Sequence, residues 1–242
     1  MKITYWSDYA CPYCYIGETR LEKAIEELGL KNDIEVEMKS FELDEHASYE
    51  VVSRTDERFA KKYGMTLDAA KRQIEHISIL GKAEGIDFKY IDTQYTNMLD
   101  AHRLTKLVQS KGNKENTDKV IKLLFDAYFT KNLKLTDRTV LSDIAKQVGI
   151  EEDELNKMLD SNDFIDDVRY DENEAYRLGV HGVPYFVIDE KYVISGCQSI
   201  DGMKSTIKKA LEEINAKSEN GMTCGSDGCR FRKKDIKWML KL

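Results

Sequence analysis

Two cysteines separated by two residues, in the segment Cys11-Pro12-Tyr13-Cys14, are the side chains with the clearest chemical potential in this chain. Thiols at this spacing can form a disulfide within one helical turn and exchange it with another disulfide. In such an exchange the first thiolate attacks a substrate disulfide, and the second thiol then attacks the mixed disulfide and releases the product. The spacing therefore predicts thiol–disulfide chemistry, with Cys11 as the nucleophile and Cys14 as the resolving residue.

The elements on either side of this motif place it where a thiolate is stabilised. An apolar run predicts a strand at residues 3–6, and apolar residues at helical spacing predict a helix at residues 16–28. A CxxC that follows a strand and opens a helix is typical of a redox site. The unpaired N–H groups and the positive dipole end of the helix favour a thiolate at Cys11, and Pro12 is well tolerated in a first turn.

A structural zinc site is the alternative interpretation, because the chain has a second cysteine pair, Cys224 and Cys229. Zinc knuckles usually hold their cysteines in tight turns rather than between a strand and a long helix. We therefore expect no metal at Cys11 and Cys14.

The composition limits the classes of protein to consider. The 242 residues are 41% hydrophobic and 33% charged, which is typical of a soluble globular protein. A formal charge of −7 argues against nucleic-acid binding, and no apolar stretch has the length of a membrane span. Because no long apolar segment precedes the cysteine motif, we expect no signal peptide and predict a cytoplasmic location, where a CxxC is more often catalytic than structural.

The order of predicted elements indicates an α/β protein interrupted by helices. Alternating polarity predicts a second strand at residues 34–41, whereas residues 49–164 show repeated helical patterns and contain no proline. The remaining predicted elements are a helix at 171–178, strands at 183–188 and 192–195, and a helix at 200–215. These are the pieces of a thioredoxin fold interrupted by an inserted all-helical domain.

The predicted domain boundaries follow from this order of elements. The chain divides into a thioredoxin-fold domain at residues 1–48 and 165–217, an inserted helical domain at 49–164, and a tail at 218–242.

Five segments together resemble the DsbA family of thioredoxin-fold proteins, specifically its FrnE-like cytoplasmic branch. They are residues 5–17 with the CxxC, Ser-Phe-Glu-Leu at 40–43, Asp-Ala-His-Arg-Leu at 100–104, Gly-Val-His-Gly-Val-Pro-Tyr-Phe at 179–186 and Ile-Ser-Gly-Cys-Gln at 194–198. The resemblance implies an oxidoreductase acting on protein or peptide thiols and disulfides. Its redox-active disulfide would need no other cofactor, and glutathione is a candidate co-substrate. One departure is Cys197, where family members commonly carry alanine.

The resemblance also implies a role for the second proline of the chain. It predicts that Pro184 forms a cis peptide bond and faces the CxxC, with the backbone of Val183 available to pair with a substrate segment. An ordinary trans proline at the start of a strand is the alternative.

Two groups of relatives share this plan, the kappa-class glutathione transferases and the 2-hydroxychromene-2-carboxylate isomerases. They bind glutathione and generally have serine at the position that matches Cys11. Because this chain has both Cys11 and Cys14, the resemblance favours disulfide exchange. A glutathione-dependent transferase or isomerase remains the alternative.

Further residues are candidates for supporting roles. His102 and Arg103 allow two interpretations. In the first, Arg103 is a surface charge of a helix and His102 is a hydrogen-bonded histidine. In the second, one of them lies beside the CxxC and supports a thiolate or a substrate carboxylate. His181 is expected to be an exposed loop residue. Tyr13 stands where strongly oxidising DsbA proteins carry histidine, and a neutral phenol stabilises a thiolate less well, so we expect a less oxidising potential.

The tail contains the second cysteine pair. Two glycines between Cys224 and Cys229 allow a small disulfide ring to close. We predict an auxiliary redox pair that exchanges electrons with Cys11 and Cys14. A structural disulfide, an idle thiol pair and a metal site shared with other cysteines remain the alternatives.

Overall fold

A computed structural model describes the backbone of residues 1–220, 223–225 and 228–230, and the side chains of residues 1–216. The strands are β1 (Lys2–Ser7), β2 (Glu35–Ser40), β3 (Tyr185–Ile188), β4 (Tyr192–Ser195), β5 (Thr223–Gly225) and β6 (Gly228–Arg230). The helices are α1 (Pro12–Glu27), α2 (Thr55–Tyr63), α3 (Leu67–Ala83), α4 (Leu99–Ser110), α5 (Lys114–Phe129), α6 (Arg138–Gln147), α7 (Glu152–Leu159), α8 (Ile165–Arg177) and α9 (Ile200–Asn220), with a 3₁₀ helix at Tyr90–Asp92.

A four-stranded sheet in the order β2-β1-β3-β4 lies at the centre of the molecule. Strands β1 and β2 are parallel, which requires the crossover that α1 provides. Strand β3 runs antiparallel to β1 and forms a hairpin with β4. Residues 189–191, which separate the two predicted strands, form the hairpin turn, and Asp189 and Glu190 adopt the positive φ angles that tight hairpin turns require.

The two faces of the sheet carry separate hydrophobic clusters, because successive residues of a strand point to opposite sides. Tyr5 belongs to the larger cluster, which also contains residues of α1 and α9. Trp6 belongs to a smaller cluster with Phe41 and Ala175, and its indole N–H donates to the carbonyl of Asp171 in α8 at 2.9 Å. Helices therefore cover both faces.

Helices α2 to α7 lie between β2 and α8 in the chain, so the predicted thioredoxin fold interrupted by helices is confirmed. These helices share the larger hydrophobic cluster with the sheet. Phe125 of α5 lies 5.0 Å from the ring of Tyr9 and 4.9 Å from that of Tyr15, measured between centroids. The helical segment is thereby packed directly beneath the residues that flank the CxxC, and the domain boundaries given above stay a prediction.

Several element boundaries differ from the sequence prediction. Helix α1 begins at Pro12 rather than residue 16, and α8 begins at Ile165 rather than 171. The first turn of α8 contains Asp166 and Asp167, which weaken the apolar pattern there. Helix α6 is capped by Asp137, whose side chain accepts from the N–H of Thr139. Within the described part of the chain, no helix combines the length and apolar character needed to cross a bilayer.

Candidate active site

The CxxC occupies the junction between β1 and α1. Cys11 is the N-cap residue of α1, Pro12 follows at the first helical position, and the N–H of Cys14 donates to the carbonyl of Cys11 at 3.1 Å. The first turn of α1 contains no acidic residue that would neutralise the positive end of the helix dipole. The predicted location of the cysteine pair at the start of a helix is thus confirmed. Cys11, Cys14 and Cys197 carry free thiols in this structure.

The loop before β3 lies against the CxxC. The Val183–Pro184 peptide bond is cis, as the resemblance predicted, and the Cys11 thiol donates to the carbonyl oxygen of Val183 at 3.5 Å. Gly17 of α1 leaves room for the ring of Pro184, because a Cβ at position 17 would lie only 3.1 Å from Cγ of that proline. The contact of Cys11 with Val183 places a peptide carbonyl directly at the reactive thiol.

The two cysteines of the motif occupy different environments. Cys14 is almost fully buried, and burial raises the pKa of its thiol well above the ordinary value of 9.0, with the neighbouring Cys11 adding to the shift. A buried thiol that resists ionisation is a poor attacking group at neutral pH. Cys11 lies at the N-terminal end of α1 and lines a cavity. This geometry agrees with Cys11 as the nucleophile and Cys14 as the resolving residue.

Asp8, a residue that was not among those predicted from the sequence, fixes the loop that carries Cys11. One carboxylate oxygen of this buried residue accepts from the N–H of Ala10 at 3.1 Å, and the other accepts from the N–H of Leu43 at 2.8 Å. Nε2 of His102 lies 3.5 Å from the first of these oxygens. The segment Ser-Asp-Tyr-Ala before the motif is the signal that could have pointed to this anchor, since Asp commonly bonds the backbone two residues further on.

His102 and Arg103 do not lie on a helix surface, which corrects one of the two interpretations given above. His102 is fully buried beneath Asp8, and neither of its ring nitrogens has a hydrogen-bond partner among the described residues. Arg103 is also buried, and its guanidinium donates hydrogen bonds to backbone carbonyl groups at the end of α7 and in the following loop. It pairs with Asp100 at 2.8 Å and donates to the carbonyls of Met158, Ser161 and Asp163. His102 therefore contacts the residue that anchors the CxxC loop, whereas the guanidinium of Arg103 is occupied elsewhere.

Cys197 lies in the loop between β4 and α9. It is half-buried and accepts a hydrogen bond from Nη1 of Arg20 at 3.5 Å. Burial raises the pKa of its thiol, and the charge of Arg20 opposes that shift. His181 is exposed, as predicted.

The second cysteine pair lies in the short strands β5 and β6. Their backbones are paired antiparallel, with Cys224 opposite Cys229. The side chains of both residues lie outside the part of the chain that the structure describes, so the auxiliary redox role stays a prediction.

A cavity of about 390 Å³ opens beside Cys11. Aromatic and aliphatic side chains line it, together with two cationic side chains of α2. The lining residues that bear on the chemistry are Tyr13, Arg58, Lys62, Tyr63, Tyr90 and Tyr95. Nothing in the sequence pattern of α2 indicated that Arg58 and Lys62 face the cysteine motif.

A CxxC at the start of a helix, opposed by a cis-proline loop on a sheet of this topology, defines a thioredoxin-fold oxidoreductase. The sequence matches the DSBA-like thioredoxin domain over residues 2–208, and the chain belongs to that family.

Known proteins of similar sequence and structure agree with this assignment. The uncharacterized protein YwbO of Bacillus subtilis is 26% identical over 90% of this chain and 98% of its own length. A probable DsbA oxidoreductase from Streptomyces coelicolor is 29% identical, with a TM-score of 0.83 over 96% of this chain and 100% of that one.

Two more distant structures share the fold. A 2-hydroxychromene-2-carboxylate isomerase has a TM-score of 0.68 at 14% identity, over 90% of this chain and 98% of that one. The cytosolic disulfide reductase DsbM of Pseudomonas aeruginosa, solved with glutathione, has a TM-score of 0.60 at 15% identity, over 88% and 100% of the two chains.

Proposed function

We propose that this protein is a cytoplasmic thiol–disulfide oxidoreductase that uses Cys11 and Cys14 on protein or peptide disulfides. The observation that carries the proposal is the position of the Cys11 thiol, at the N-terminus of α1 and 3.5 Å from the carbonyl of Val183. The shared fold of the cytosolic reductase DsbM is compatible with the proposed location.

The reaction needs two exchange steps. The Cys11 thiolate attacks one sulfur of a substrate disulfide, a Cys11–substrate disulfide forms, and the other substrate sulfur leaves as a thiolate. Cys14 then loses its proton and attacks the Cys11 sulfur, so the second substrate thiolate leaves and a Cys11–Cys14 disulfide forms. Two electrons pass from the protein to the substrate, and an external dithiol restores the reduced pair. The reverse sequence oxidises a substrate dithiol.

Val183 is the proposed docking point for an extended substrate. It precedes β3, and its N–H has no backbone partner in the described part of the chain. A substrate segment that pairs with this backbone brings its disulfide to Cys11, because the carbonyl of Val183 already contacts that thiol. Backbone pairing does not depend on substrate side chains, which suits an enzyme that acts on many polypeptides.

Reduction of insulin disulfides by dithiothreitol tests the proposal. We expect the wild-type protein to accelerate precipitation of the insulin B chain and Cys11→Ser to abolish that acceleration. Cys197→Ser is the matched control, since it removes a thiol outside the motif, and it should retain the wild-type rate. Equal rates for the wild type and Cys11→Ser would refute the assignment.

A glutathione-dependent transferase or isomerase is the second candidate function. The cavity of about 390 Å³ beside Cys11 favours it, because such a volume suits a small molecule rather than an extended chain. This candidate predicts glutathione binding that survives Cys14→Ser, together with turnover of an aromatic electrophile. Calorimetric titration with glutathione and a spectrophotometric conjugation assay distinguish it from disulfide exchange.

A further inference from the structure

The cavity beside Cys11 is positively charged, although the chain as a whole is acidic. The formal charge of the protein is −7, yet Arg58 and Lys62 line this cavity, and none of the described residues that line it is acidic. A cavity with one sign of charge and apolar walls concentrates the field inside it. The local charge therefore opposes that of the whole molecule at the place where substrate meets the reactive thiol.

Arg58 is the group that most needs an explanation. Its guanidinium carbon lies 3.8 Å from the centroid of the Tyr95 ring, and its Nε and Nη2 atoms are buried with no hydrogen-bond partner among the described residues. It forms no ion pair with any described residue, whereas Arg20, Arg103 and Arg169 each pair with a carboxylate. Arg58 is half-buried, and withdrawing part of a guanidinium from water without a carboxylate partner has a cost, so this arginine is suited to a ligand that supplies the missing charge.

Arg58 and Cys11 line the same cavity, and Tyr90 forms part of its wall. Burial raises the pKa of Tyr90, and the charge of Arg58 opposes that shift. A substrate that enters this cavity to reach Cys11 therefore enters the field of Arg58.

We propose that this cavity selects disulfide substrates by charge, and that Arg58, assisted by Lys62, is the specificity-determining residue for a carboxylate close to the reacting sulfur. The inference rests on the proposed function and deepens it by naming a substrate class. The Cys11 thiolate attacks the sulfur of the carboxylate-bearing half, which becomes bonded to Cys11 while the other half leaves as a thiolate. Attack by Cys14 on Cys11 then releases the bound half as its thiolate.

The occupant fits the other walls of the cavity as well. Tyr13, Tyr63 and Tyr95 supply aromatic faces for the carbon chain that joins the sulfur to the carboxylate. The hydroxyl of Tyr95 donates to the carboxylate of Asp44 at 3.3 Å, and Asp44 does not line the cavity. An anionic substrate thus meets a cation and aromatic rings rather than an acidic side chain.

The test compares three small disulfides that differ in charge: 3,3′-dithiodipropionate, bis(2-hydroxyethyl) disulfide and cystamine. The reduced full-length protein is mixed with each at low ionic strength, and loss of the Cys11 and Cys14 thiols is followed by quenching and mass spectrometry. Each rate is divided by the rate of the same disulfide with free 2-mercaptoethanol, which removes differences in intrinsic reactivity. We expect the anionic disulfide to be preferred over the neutral one by about tenfold, and the cationic one to be slowest.

Variants assign this preference to Arg58. Arg58→Gln should lower the anionic-to-neutral ratio to about twofold or less, whereas Arg58→Lys should retain most of it because the charge remains. Arg138→Gln is the matched control, since that exposed arginine pairs with Asp160 away from the cavity, and its ratio should equal that of the wild type. In 0.5 M salt the wild-type preference should shrink, because the Debye length falls to about 4 Å.

The outcomes distinguish failure of the charge selection from failure of the oxidoreductase function. If all three disulfides react through Cys11 but the ratio is near one, or is unchanged in Arg58→Gln, the charge selection is overturned and the oxidoreductase function stands. If none of them oxidises the cysteine pair, or if Cys11→Ser reacts equally well, the proposed function itself fails. If Arg58→Gln does not fold, the salt dependence decides: a wild-type ratio that 0.5 M salt does not lower overturns the charge selection.

Discussion

The thiol of Cys11 lies 3.5 Å from the carbonyl oxygen of Val183, although 172 residues separate them in the chain. The contact follows from the antiparallel pairing of β1 with β3, in which Trp6 lies opposite Tyr185. Because β1 ends where β3 begins, the loop after one strand and the loop before the other meet at the same edge of the sheet. The reactive thiol and the proposed docking backbone are therefore held by the sheet itself.

Replacement of Tyr13 by histidine should make the protein more oxidising. Tyr13 is neutral and 39% exposed at the start of α1, so an imidazole there would lie beside Cys11 and stabilise its thiolate. Stabilising the reduced form raises the reduction potential, by about 30 mV for each factor of ten in equilibrium constant. Equilibration of wild type and Tyr13→His with a glutathione series measures the difference. A wild-type potential near that of DsbA would contradict the expectation of a milder oxidant.

Alkylation should distinguish the two cysteines of the motif. Both thiols are buried, with 4% exposure at Cys11 and 1% at Cys14, but Cys11 lines the cavity at the N-terminus of α1, whereas burial raises the pKa of Cys14. In Cys11→Ser, Cys14 should therefore react with iodoacetamide at least about tenfold more slowly than Cys11 does in Cys14→Ser. Mass spectrometry after timed quenching gives both rates between pH 6 and 9. Rapid modification of Cys14 at pH 7 would show that it is accessible and ionised, against the assigned order of attack.

Glu18 should make the stability of the protein depend on pH. Burial, with the charge of Glu22 adding to it, raises the pKa of Glu18 from 4.5 to about 8, and its Oε2 has no hydrogen-bond partner. Between these values the folded state binds a proton that the unfolded state does not, so the free energy of unfolding falls as pH rises, by at most about 1.4 kcal/mol per pH unit. Glu18→Gln should therefore match the wild type at pH 5 and be more stable, by about 1 kcal/mol or more, at pH 8.

Urea denaturation of the wild type and Glu18→Gln at the two pH values checks this dependence. Glu26→Gln is the matched control, because Glu26 lies on the same helix and its side chain is exposed. An equal difference between Glu18→Gln and the wild type at pH 5 and pH 8 would contradict the assigned titration.

Arg103 should matter for stability and not for the chemistry of Cys11. A lysine cannot reproduce its pairing with Asp100 together with its bonds to the carbonyls of Ser161 and Asp163, so Arg103→Lys should lower the free energy of unfolding by about 2 kcal/mol. The alkylation rate of Cys11 should stay within about twofold of wild type. A stable variant with altered Cys11 reactivity would instead support the sequence-based role beside the CxxC.

The predicted relay between the tail and the CxxC can be tested by trapping. Exchange requires the sulfurs to come into contact, so in Cys14→Ser the Cys11 thiol should form an intramolecular disulfide with Cys224 or Cys229 under mild oxidation. Peptide mapping identifies the linked residues. Formation of intermolecular or glutathione adducts alone would rule out a relay.

Local sequence determined the reactive motif and the order of the elements. Two cysteines at one-turn spacing, a proline at the first helical position and apolar periodicity all act within a few residues, so the CxxC at the start of α1 and the hairpin at residues 189–191 could be predicted from the chain alone. The cis geometry of Pro184 came from the family resemblance instead, since no local pattern fixes it.

Only the tertiary structure decided which charges surround the motif. Asp8, Arg58 and Arg103 are ordinary polar residues in sequence, and whether each is exposed, paired or left without a partner depends on helices and loops distant in the chain. Arg103 is occupied by carbonyl groups at the end of α7 and in the following loop. Arg58 stacks on Tyr95 in the cavity that Cys11 lines, and no carboxylate of the described residues lies within ion-pair distance of it. The energy of a charge is set by its surroundings in space, and sequence periodicity does not carry that information.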